Sequence, residues 1–259
     1  MLKVLLILPL LWGVIQPTYS SQMTQDEISS LDRRLLPNGG SLWFPLSRFE
    51  LSHIIKKSID KANPKHHGLR LINADQLSRE VVRVAECYEI NPLIFTGLIW
   101  RESNFKPDAV SETGAVGLTQ MTSTGVQEVM ERLSLVSPRK LVSLRALVKK
   151  CSPDFLDRVP IEIFADTLSA WKNTITFFPK DALIVGATLF KIYLISAAEH
   201  SKNTAQATDI YQLALEHYNG EPDVKKQFAW DVLHLAMRMI ALPEVAPVES
   251  KFLSQIVGF

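Results

Sequence analysis

An apolar run from Leu93 to Trp100 ends on a single acid, Glu102, and a loop carrying Gly114 and Gly117 then leads to Gln120. Asn91-Pro92 supplies an N-cap and a first-turn proline, so the run reads as a helix. With Leu93, Ile94, Phe95, Leu98, Ile99 and Trp100 in it, the helix is apolar nearly all round and has to be wrapped by other elements. Glu102 lies four residues after Leu98 and three after Ile99, on their face of the helix. A carboxyl set against apolar walls loses solvation of its charge, keeps its proton to higher pH and suits a general acid. The competing reading is an ordinary helix-end glutamate, paired with Arg101 or hydrogen-bonded near Ser103.

The residues downstream favour the acid. Glu102, Ser103, Phe105, Pro107, Ala109, Ser111, Gly114, Ala115, Gly117, Leu118 and Gln120 fill, without insertion or deletion, a pattern that resembles the signature of the soluble lytic transglycosylases, relatives of goose-type lysozyme. A second stretch, Ala214-Leu-Glu-His-Tyr218-Asn219-Gly220, is similar to the family's Ala-Leu-x-x-Tyr-Asn-x-Gly, and Phe228 to Leu233 stands where the family has a Tyr-Ala-x-x-Val helix. The resemblance spans roughly 73–235. It implies a mainly α, lysozyme-like fold, α+β with a very small hairpin region. Glycines 114 and 117 in that region would let a sugar approach the backbone closely.

Three departures mark the chain. After Gln120 it reads Met121-Thr122-Ser123, where the family continues with an apolar residue, Met and Pro. The family's Asn-Ile-x-x-Gly-x-x-Tyr-Leu helix survives only as Gly186 and its apolar spacing, and Tyr218-Asn219-Gly220 is one residue shorter than the commonest form.

Residues 1–20, with Lys3, an apolar stretch from Val4 to Ile15 and small residues Thr18 and Ser20, read as a secretory signal; an uncleaved anchor is the alternative. Export follows, to the periplasm or outside a bacterial cell. Residues 21–71 form an N-terminal arm with one helix from Glu50 to Ala62. Residues 72–242 form the catalytic domain and 243–259 a tail. Within the domain, 126–179 reads as a helical insertion, with helical patterns at Val126 to Leu133, Pro138 to Lys149 and Pro160 to Asn173. Apolar helices are expected at Asn73 to Tyr88, Asp181 to Ala198, Ala205 to Tyr218 and Val224 to Leu242.

Removing the signal leaves 27 basic against 27 acidic residues, since it takes away Lys3 and no acid. A balanced chain has no field to concentrate nucleic acid, so the peptidoglycan glycan strands that the resemblance implies as its partner would be held by pocket contacts rather than long-range steering. No membrane contact is expected beyond the signal segment. Neither cysteine has a close Cys or His partner and the histidines are scattered, so no metal and no cofactor is expected. Cys87 and Cys151 reach an oxidising compartment and either pair or leave Cys87 as a buried thiol.

The resemblance implies a reaction with one acid. Glu102 protonates the oxygen joining N-acetylmuramic acid to N-acetylglucosamine, then takes the proton from the muramic acid C6 hydroxyl, giving a 1,6-anhydro sugar without activated water. Substrate-binding roles fall to Ser103, Gln120, Met121, Tyr218 and Asn219; for Ser103 and Asn219 a capping role stands beside contact with substrate. The alternatives are a water-using muramidase assisted by Asp108 or Glu112, and an inactive glycan-binding scaffold.

Overall fold

The computed structural model describes residues 46–70, 72–134, 141–159, 165–200, 207–221 and 223–240. The segment read as a secretory signal, the apolar Leu42-Trp43-Phe44 and the tail lie outside the described residues. Helix makes up 73% of the part described, so the fold is mainly α, consistent with the lysozyme-like class. Ten helices follow one another among the described residues: α1 Arg48–Ala62, α2 Ala74–Cys87, α3 Pro92–Ser103, α4 Ser123–Ser134, α5 Leu141–Cys151, α6 Phe155–Arg158, α7 Ala165–Phe177, α8 Pro179–His200, α9 Ala207–Asn219 and α10 Lys225–Ile240.

The chain sets these boundaries with side chains. Ser47 and Glu50 form a reciprocal capping box at α1, and Asn73 and Gln76 form one at α2. Asn91 Oδ1 accepts from the N–H groups of Leu93 and Ile94, with Pro92 at the first helical position, so α3 starts where the sequence places it.

α3 is the central helix, and Ile94, Phe95, Leu98 and Ile99 are wholly buried. α1 packs on α2, and α10 crosses α3 so closely that a Cβ on Gly97 would stand 2.6 Å from the Val232 carbonyl oxygen. The helix read as part of an arm enters the same core, with Ile55 and Ile59 fully buried. α8 is long and apolar enough to cross a membrane by length and composition, yet 72% of that stretch is buried within the protein, where α9, α2 and α7 pack on it. Two buried polar links fasten this frame. Tyr88 Oη donates to Thr188 Oγ1 on α8, and Tyr211 Oη of α9 accepts from the Asn91 N–H at the start of α3.

The segment read as an insertion holds α5, α6 and α7, with α4 opening it and extending a few residues before it. Phe155 and Trp171 meet edge to face at 5.5 Å inside it. Cys87 and Cys151 are joined, with Cα atoms 5.7 Å apart, which resolves the open alternative and bolts α5 to the end of α2. The expected hairpin region is reduced to isolated antiparallel bridges, Val110 with Val116 and Val116 with Met121.

Candidate active site

The end of α3 turns abruptly. Asn104 closes it in the left-handed region at φ 50°, its N–H returning to Trp100 O, and Phe105 follows at φ 57°. A left-handed phenylalanine is strained, but its ring is fully buried beside Trp100, and Asn63 Nδ2 donates to its carbonyl from the end of α1. This turn sends the chain away from Glu102 and starts the loop that faces it.

Glu102 is half-buried, and burial pushes its carboxyl up to about 8, against a smaller opposing pull from the Arg101 charge. Arg101 is engaged elsewhere: its Nε reaches Asp231 Oδ2 at 3.1 Å and its guanidinium lies 5.7 Å from the Phe228 ring centre, both on α10. The competing reading of Glu102 as the partner of Arg101 is therefore not what the structure shows. Among the described residues its carboxyl has neither a hydrogen-bond donor nor a paired cation, and neither Asp108 nor Glu112 contributes to its shift. Those two acids are exposed on the loop.

Ser103 and Gln120 are brought to the site, where they also fasten the loop. Ser103 Oγ is buried and points at Leu118 O at 2.8 Å, with Ile99 O at 3.1 Å as the weaker acceptor, so it ties the end of α3 to the loop. Gln120, itself left-handed at φ 46°, donates from Nε2 to Gly117 O and Ala109 O and clamps the loop shut. Its Oε1 is left as an acceptor. At Gly117, φ is 78° and an added Cβ would stand 2.9 Å from Ile175 Cγ2, so this turn needs glycine.

Tyr218 comes from the end of α9 and donates to Thr119 O at 2.9 Å, with Met121 Sδ 3.5 Å from the same hydroxyl. Burial holds the phenol well above its ordinary range, and the neighbouring Glu102 charge raises it further. Glu102 and Tyr218, separated by most of the domain in sequence, thus share one electrostatic site. Met121 is buried, so it supports the Tyr218 hydroxyl from beneath. Asn219 ends α9, and its Oδ1 accepts from Glu221 N at 3.3 Å, a turn cap.

Tyr193 was missed. It packs edge to face on Tyr218 at 6.2 Å, stacks on His217 at 6.0 Å and donates to Glu128 Oε2 at 2.6 Å. Phe190 meets Tyr218 from another side at 6.0 Å. The signal available was helical spacing: Tyr193 follows Leu189, the position of the tyrosine in the resembled Gly-x-x-Tyr pattern, by four residues and so shares its face. Gly186 lets this helix approach the loop, since a Cβ there would overlap the Thr119 side chain.

Residues 81–143 match the family model of the transglycosylase SLT domain, a span that holds Glu102, Ser103, Gln120 and Met121 and ends before Tyr218 and Asn219. No curated protein and no solved structure matches the chain significantly. Over residues 81–143, then, on a mainly α frame that presents Glu102 at the end of a buried helix, the chain is similar to the transglycosylase SLT domain.

Proposed function

We propose that the protein is an exported lytic transglycosylase that cuts the bond between N-acetylmuramic acid and N-acetylglucosamine in peptidoglycan, leaving a 1,6-anhydro end. The observation that carries this reading is the Glu102 carboxyl, protonated up to about pH 8 by burial and coupled to Tyr218, with no second carboxylate among the described residues acting on it. An acid in that state donates its proton to the glycosidic oxygen as the bond to the anomeric carbon breaks. The resulting carboxylate then accepts the proton of the C6 hydroxyl as that oxygen bonds to the same carbon, which returns Glu102 to its starting form. A two-carboxylate hydrolase needs a partner acid across the scissile bond, and Asp108 and Glu112 face solvent.

Tyr218 and the free Oε1 of Gln120 hold the sugars beside the cut. Met121 shapes the pocket floor, and Ser103 and Asn219 fix the loop and the α9 terminus that carry these groups. Residues 72–242 act as the catalytic domain, with 126–179 as a helical insertion.

Mass spectrometry of digested sacculi tests the reading. Products short by one water relative to hydrolysed ends are expected from the wild type, and far fewer in the same time from Glu102→Gln. Ordinary reducing ends would instead make the protein a muramidase, and intact sacculi a scaffold.

A further inference from the structure

A cleft of about 570 Å³ has walls that include Lys65, Arg70, Asp108, Thr176 and Phe177. Neither Glu102 nor Tyr218 lines it. Lys65 and Arg70 are exposed and have no acidic partner among the described residues, whereas their neighbour His66 is already bound to Asp60 at 3.0 Å. Lys56 is likewise paired with Asp60. Phe177 is 60% exposed at the cleft's edge, an aromatic surface with nothing packed over it.

The cleft has a built wall. Gly68 sits at φ 72°, and a Cβ there would overlap Asp108 Oδ1 and reach to 3.0 Å from Pro107 Cδ. Glycine therefore lets the 65–70 turn and the Asp108 loop close together. Asn63 secures the turn from below, taking the His67 N–H on Oδ1 and donating to His67 O. The two cations and the one carboxylate select the ligand's charge. A phosphate-bearing polyanion would be drawn by Lys65 and Arg70 but repelled by Asp108, while a molecule with a carboxylate and an ammonium satisfies both.

We infer that this cleft binds a short peptide carrying both a free carboxylate and a free ammonium, with Lys65 and Arg70 taking the carboxylate, Asp108 the ammonium, and Phe177 covering the aliphatic part between them. The inference rests on the proposed function for its source, since peptides of this kind branch from the glycan strands of the wall. The wall of the cleft at Asp108 and the clamp at Gln120 belong to one loop, because Gln120 Nε2 holds the carbonyl of Ala109, the residue next to Asp108. A peptide held at Asp108 is therefore bound to the segment that Gln120 clamps.

The test is calorimetric titration of the full-length protein with N-acetyl-alanyl-lysine, with its C-terminal amide, with its acetyl-lysine form and with inorganic phosphate. The free dipeptide is expected to bind about tenfold more tightly than either blocked form. Lys65→Ala/Arg70→Ala should weaken it about tenfold, and Asp108→Asn should weaken it while leaving the acetyl-lysine form unchanged. Equal binding of all three peptides, tighter binding of phosphate, or no effect of these variants overturns the inference. Cleavage of glycan strands stripped of peptide separates the two readings. A protein that cuts bare strands to anhydro ends but ignores the dipeptide loses this inference alone, and one that binds the dipeptide but yields no anhydro ends loses the proposed function alone.

Discussion

Glu102 ionises near 4.5 when the chain is unfolded and near 8 when it is folded. Between these values the folded protein keeps a proton that the unfolded chain has released, so stability falls as pH rises from about 4.5 to about 8 and is flat above. Glu102→Gln removes the charge and keeps the shape. Thermal melts should show the variant close to the wild type at pH 4 and several degrees more stable at pH 9. Its turnover should drop by about 10²–10⁴-fold, the usual contribution of a positioned acid. Wild-type activity should decline on the alkaline side with a midpoint near 8; a profile flat to pH 10 would remove the acid role from Glu102. Tyr218→Phe keeps the aromatic packing on Phe190 and Tyr193 but loses the bond to Thr119 O. A fall in kcat of about tenfold, with the melting temperature lowered by no more than the loss of one hydrogen bond of about 1 kcal/mol, is expected.

Among the elements, α8 is a core helix whose first turn and middle each carry one exacting contact. Asp181 in its first turn is buried against Arg158, 2.7 Å away; burial raises the carboxyl and the arginine charge works against it. Arg158→Ala leaves that carboxyl unpaired, and a loss of about 3 kcal/mol in denaturant unfolding at neutral pH is expected. Because an unpaired buried carboxyl would then protonate, the loss should shrink toward pH 4. In the middle of the helix, Gly186→Ala would force a methyl against Thr119. The loop must shift or the helix must move out, at a cost of about 1–3 kcal/mol, and activity should fall with it because Thr119 O anchors Tyr218.

The whole molecule is held across its two halves by the bond from Cys87 to Cys151, which closes a loop of 64 residues. In the chain-entropy account such a link stabilises the fold by about 4 kcal/mol, so Cys87→Ala/Cys151→Ala should shift the denaturant midpoint down accordingly. The change should match that produced by reductant in the wild type. At this scale local chemistry was readable in advance. Asn91-Pro92 at the start of α3, the Asn73 and Gln76 box of α2 and the apolar faces of α8 and α10 are signals carried by neighbours within one or two turns. The loop was legible less well. Ser103 and Gln120 read as substrate-binding residues, and the sequence did not show that their polar atoms also answer carbonyls of Leu118, Gly117 and Ala109, which only a closed loop brings near.

By itself the sequence determined that a buried helix would end on one acid, because periodicity and capping are local and Glu102 is bound by them to the face of Leu98 and Ile99. It also placed nine of the ten described helices to within a few residues, missing only the short α6. Only the tertiary structure decided that Arg101 turns to Asp231 rather than to Glu102, that Cys87 meets Cys151, and that Tyr218 stands beside the acid with Tyr193 packed on it. These are contacts between elements far apart in the chain, and no local spacing encodes them. They arise when the apolar faces of α3, α8, α9 and α10 pack into one core and carry their polar ends into a common site.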